Sequence, residues 1–157
     1  MATAKIQIQG LEALQEQLKK RKEVLTNALQ VQLTQLGEQC ITHAKNNKGY
    51  SDRTANLKNS ISFALYLDGK LVSSHIGQIP KPNESAQGQA GVASALDVYA
   101  ASGVIAPKGY TVIVVAGMEY GVHVEHKGYN VLHLTKYYLK DEMKKILEEV
   151  VERIKNS

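Results

Sequence analysis

From residue 11 onward, leucines recur at steps of three, four and seven: Leu11, Leu14, Leu18, Leu25, Leu29, Leu33 and Leu36, with Cys40 closing the series. That period places them on one stripe of a long helix. Arg21 and Lys22 put charge where the stripe wants an apolar residue, so a bend is expected there. Asn46-Asn47-Lys48-Gly49 then stops the pattern with residues that tolerate a left-handed helix end. On both sides of this helix the period changes to two. Residues 4–9 alternate with Ile6 and Ile8 on one face, a short strand ended by Gly10.

Residues 61–67 and 71–76 alternate about Asp68-Gly69, and such a pair supplies the positive φ angles of a type I′ hairpin turn. Residues 111–116 are a β-branched run suited to a buried strand, and after a pause at Gly117 residues 120–125 alternate again up to the turn chemistry of Lys127-Gly128. A last helix over 135–155 carries Leu139, Met143, Ile146, Leu147, Val150 and Ile154 on one side and is expected to cover the sheet. The elements predict an α+β fold: an antiparallel sheet of four to five strands packed against a long N-terminal helix and a C-terminal helix. Two helices cover one face of such a sheet. The second face and the strand edges, those of 71–76 and 120–124 among them, are expected to seek another chain.

At 157 residues this is one domain's worth of chain, spanning 1–157, and 43% hydrophobic with 22% charged residues indicates an ordinary globular protein. The single cysteine, Cys40, excludes an intrachain disulfide scaffold. The first ten residues lack the apolar core of a secretory signal and no apolar run reaches the ~18 residues of a membrane span, so the reading is a soluble, non-exported chain without membrane contact. The net charge of +4 is unevenly spread. Residues 1–60 hold nine basic residues against five acidic ones, chiefly through Lys19-Lys20-Arg21-Lys22. Within a helical pattern that cluster reads first as a solvated face and second as a contact for DNA phosphates.

Residues 78–91 contain two of the three prolines with Gly, Ser and Asn, and residues 92–101 are alanine-rich, a short helix stopped at Gly103. The insert 78–106 is the candidate partner-contacting arm, with Pro80, Pro82, Val92, Leu96 and Tyr99 as its candidate interface residues. Too few large side chains are present to offset ordering entropy, and fast hydrogen exchange is expected there. Lys-Gly-Tyr occurs three times, but the flanks differ and no internal repeat is present.

The densest set of chemically capable side chains is Glu119, His123, Glu125 and His126, with His133 beyond. On a strand, His123 and Glu125 share one face and His126 takes the other, so a shared metal would need a bulge. There is no HExxH, no cysteine pair, no GxSxG, no P-loop and no GxGxxG. Asp52, Asp97 and Asp141 offer no carboxylate pairing. The residues therefore support neither a catalytic centre nor a cofactor or metal site.

Two segments carry a resemblance. Residues 53–61, Arg-Thr-Ala-Asn-Leu-Lys-Asn-Ser-Ile, and residues 119–126, Glu-Tyr-Gly-Val-His-Val-Glu-His, resemble the two signatures of a tailed-bacteriophage family, the tail-completion or head-tail joining proteins. Thr54, Leu57, Ser60 and Ile61 match the first pattern, and Tyr120, Val124 and Glu125 match the second, with Gly128 following. Ala55 stands where that pattern has glycine, His126 replaces an aromatic residue, and Lys127 intervenes before Gly128. The resemblance implies a structural virion protein at the neck, made in the host cytoplasm. It would form a closed homo-oligomeric ring, of six subunits, between the head connector and the tail-tube or terminator proteins, with DNA in the lumen. A tail terminator ring is the nearest alternative, and a small metal- or nucleic-acid-binding protein a more distant one. Thr54 and Glu125 are expected to act structurally, their oxygens satisfying free backbone N–H groups beside turns.

Overall fold

The computed structural model describes residues 10–51, 55–77, 97 and 101–156. The strand expected over 4–9, Thr54, and the interface candidates Pro80, Pro82, Val92, Leu96 and Tyr99 lie outside these residues, as do most of the insert and the helix expected over 92–101. The chain divides into two compact units, Met1–Gln32 and Leu33–Ser157.

The described part of the first unit is helical. Gly10, at φ 84, starts it, and its carbonyl accepts the Leu14 N–H at 3.0 Å. This is the first part of α1 (Leu11–Asn46), which runs unbroken through Arg21 and Lys22 because both are good helix formers and sit exposed. Leu11, Leu14 and Leu18 are exposed, so the leucine stripe is covered over only part of its length.

In the second unit, Leu33, Leu36, Cys40, Ile41 and Ala44 of α1 form a core with Ile61, Phe63 and Leu65. Gly37 allows the close approach: a Cβ there would lie within 2.6 Å of Phe63 ring carbons. The helix ends at Asn46 with the Asn47 N–H and Nδ2 both bonded to the His43 carbonyl, without the left-handed residue expected at its end. A single turn, α2 (Asn56–Asn59), leads into β1 (Ile61–Leu67), which pairs antiparallel with β2 (Lys70–His75) and β3 (Tyr110–Ala116). Asp68 and Gly69 take φ angles of 51 and 78 in the hairpin turn, the double positive φ their sequence predicts. A bulge between Leu65 and Tyr66 shifts the β1–β2 register.

Among the described residues the sheet has three strands in the order β2-β1-β3, fewer than the four to five expected. The central β1 is buried on both faces. Phe63 and Leu65 pair with Val114 and Val112 toward the helices, and Ala64 pairs with Ile113 on the opposite face. That second face is not left open as expected. Ala64, Tyr66, Ile113 and Val115 are buried there with Ile105 packed against them. The first face is completed by α4 (His133–Lys155) through Tyr138, Leu139, Met143 and Ile146.

The strand expected over 120–125 is a helix, α3 (Gly121–His126). The alternation of Val122 and Val124 with polar neighbours matched a strand, but six residues are too few to separate the periods, and tertiary contact decided. In the helix Gly121, Val124 and Glu125 share the inward side while Val122, His123 and His126 are exposed. Gly128, at φ 82, ends the turn, its N–H bonded to the Glu125 carbonyl at 3.0 Å. The edge contact expected of 120–124 therefore has no strand behind it.

Candidate functional site

The two segments that carry the resemblance are remote in sequence and meet in the fold. Ser60, which caps α2, is buried. Its hydroxyl donates to the Leu57 carbonyl at 2.8 Å and accepts the Gly117 N–H at 3.1 Å, while its own carbonyl accepts that N–H at 3.2 Å and the Ser62 hydroxyl at 3.1 Å. Ser62 in turn accepts the Gly77 N–H at 2.9 Å. The turn before β1 is thus tied to the residues after β3 and after β2. Leu57, Met118 and Val131 form a buried apolar cluster above this network, with Val124 packed against it. Gly121 faces Leu57 so closely that an added Cβ would stand 3.0 Å from its Cδ1. Ala55, just before α2, holds φ 60 and ψ 4, a left-handed conformation that glycine adopts without strain.

Glu125 anchors the other side of the junction. One carboxylate oxygen accepts the N–H groups of Val131 and Leu132 at 2.8 and 2.9 Å, and the other accepts the His133 N–H at 3.0 Å. These lie at the start of α4, where backbone donors lack helical partners and negative charge is favoured. Asn130 Oδ1 accepts the Leu134 N–H at 2.9 Å, and the Asn130 amide donates back to the Asn47 carbonyl at the end of α1. Two side chains on either side of a turn therefore set the start of α4. Beside them lies an open cleft of about 470 Å³, with Val114, Val122 and Leu132 on its walls and His133 and Lys136 among its lining.

Ile61 is fully buried in the core and Tyr120 is exposed at the rim. His123, His126 and Glu119 are exposed, and His133 stands edge-on to Tyr137 at 5.3 Å. Among the described residues no group of three or more His, Cys, Asp or Glu is placed to hold a metal ion.

A second polar group was not apparent in the sequence. His43 on α1 stacks on Tyr138 at 4.4 Å, and its Nδ1 lies 3.1 Å from the Thr135 hydroxyl. A hydroxyl beside an imidazole has the chemistry of an activated nucleophile. Thr135 is 1% exposed, however, and its oxygen is sealed between helices. Burial, and then the Glu142 carboxylate, raises the Tyr138 hydroxyl above its ordinary pKa. Cys40 nearby is pushed up to about 12, chiefly by burial and then by Glu142, so its thiol is inert at neutral pH. These groups hold α1 against α4. Their spacing, 92 residues between His43 and Thr135, left no local pattern to read.

Comparison of the chain with protein-family models, with curated proteins and with solved structures finds no match. Among the described residues no helix is long and apolar enough to cross a membrane.

Proposed function

We propose that this chain is a structural subunit of a tailed-phage neck, a tail-completion protein that closes into a homo-oligomeric ring between the head connector and the tail. The observation that carries the reading is the junction itself. Leu57 of the first segment and Val124 of the second meet at one buried cluster, while Ser60 and Glu125 beside them each tie backbone on their own side of it. Two of the four pack and two hold backbone, as expected of a part whose work is to hold a shape. The left-handed Ala55, at the position where the family pattern has glycine, agrees with it.

In the ring, subunits meet head to tail, with a sheet edge and the 78–106 arm of one copy against the next, because a repeated heterologous contact closes when its rotation permits. The exposed basic turn Lys19 to Lys22 is the candidate DNA contact in the lumen. The test is genetic and structural. A phage lacking this gene is expected to produce full heads and separate tails, and the purified chain mixed with its tail-tube partner is expected to form rings by electron microscopy. Tailed, infectious particles assembled without the chain would overturn the reading.

A further inference from the structure

Beyond the half-buried Met143, the apolar stripe of α4 runs on past its cover. Leu147 and Val151 are 53 and 48% exposed, and a shallow groove of about 720 Å³ runs along them past Met143. Beside this stripe the groove is flanked by Lys140, Lys144, Glu148 and Glu152, four residues at four-residue steps on one ridge of the helix. The ridge reads positive, positive, negative, negative. Inverted end to end, it complements itself.

That symmetry selects a partner. In an antiparallel pair of helices related by a twofold axis, the same flank of each helix faces the other. With the axis at Leu147, the Leu147 side chains meet and Met143 meets Val151 of the second copy. One ridge over, Lys140 meets Glu152 and Lys144 meets Glu148 of the second copy. A parallel pairing in register would set lysine on lysine and glutamate on glutamate. Two ion pairs within the helix compete, Lys144 with Glu148 at 3.9 Å and Lys155 with Glu152 at 3.1 Å; both are largely exposed and hold these charges only weakly.

We propose that α4 is a twofold docking surface for a second copy of this chain, packed antiparallel about Leu147. This goes beyond the ring reading and stands apart from it, because a ring seam joins two different patches whereas this contact uses one patch twice. A stripe of about three helical turns buries on the order of several hundred Å² per copy, the low end for a specific contact, so dimers are expected at micromolar concentrations.

Sedimentation equilibrium of the full chain tests it. The wild-type chain is expected to dimerise. Lys140→Glu with Lys144→Glu, or Glu148→Lys with Glu152→Lys, should each raise the dissociation constant about tenfold or more, since four facing pairs turn repulsive. Mixing these two double variants should restore dimers as heterodimers, and the fourfold swap, which rebuilds the inverted pattern, should restore homodimers. A second measurement reads the geometry: Leu147→Cys should oxidise to a disulfide-linked dimer. Tyr137→Cys, roughly 30 Å from its own copy in that register, should not. The inert Cys40 leaves this assay clean. A wild-type chain that stays monomeric at high concentration, a dimer indifferent to the charge reversals, or a fourfold swap as weak as the doubles would overturn the proposal.

Discussion

At the scale of single residues, Glu125 has the clearest work. Its two oxygens take three N–H groups at the start of α4, and its charge faces the positive end of that helix. Glu125→Gln keeps one acceptor oxygen and turns an NH2 group toward a backbone donor. The variant is expected to lose about 1–3 kcal/mol in urea unfolding. An unchanged midpoint would mean that water replaces the carboxylate without cost. Ala55 gives the opposite sign. A left-handed alanine costs about 1 kcal/mol, part of which glycine returns through its freer unfolded chain. Ala55→Gly is expected to be neutral to stabilising by a few tenths of a kcal/mol up to about 1, and a clear loss in the same titration would show that Ala55's methyl packs usefully.

At the scale of elements, the meeting of α1 with the sheet depends on Gly37. Alanine there would strengthen the helix by about 0.5–1 kcal/mol. It would also press on the Phe63 ring, which is 2% exposed and has little room to retreat. Overpacking of this kind costs about 1–3 kcal/mol, so Gly37→Ala is expected to lower the thermal midpoint. Phe63→Leu should relieve part of that loss in the double variant, a coupling that a double-mutant cycle reads directly. α3 likewise depends on contacts between elements. Val122 and Val124 look like strand residues, yet only a helix puts Gly121 against Leu57 and lets Glu125 reach residues 131 to 133 together.

At the scale of the whole molecule, the question is which surfaces meet other chains. On the proposed neck reading, deleting residues 80–101 is expected to leave the circular dichroism of a folded chain while abolishing tail attachment in complementation of a gene-deleted phage. Full infectivity of that variant would remove the arm from the assembly contacts. The buried second face of the sheet narrows the choice further. With Ala64, Tyr66, Ile113 and Val115 already covered, that face is closed to neighbours, whereas the helix stripes that include Leu11, Leu14 and Leu147 are exposed.

The elements whose pattern is local were legible in the sequence. The leucine period predicts α1, and Asp68-Gly69 predicts its turn because two positive φ angles require such residues. Leu139, Met143 and Ile146 likewise predict the covering face of α4. The sequence also singled out Leu57, Ser60, Val124 and Glu125, though only through a resemblance. What it could not decide is what depends on distant partners. Six alternating residues become α3 because a leucine 64 positions earlier and backbone donors six to eight positions later reward a helix there. Leu11, Leu14, Leu147 and Ile154 share period and chemistry with buried neighbours on the same helices, yet stand exposed. Periodicity states which face of a helix is apolar; only the length and placement of the sheet determine how much of that face finds cover.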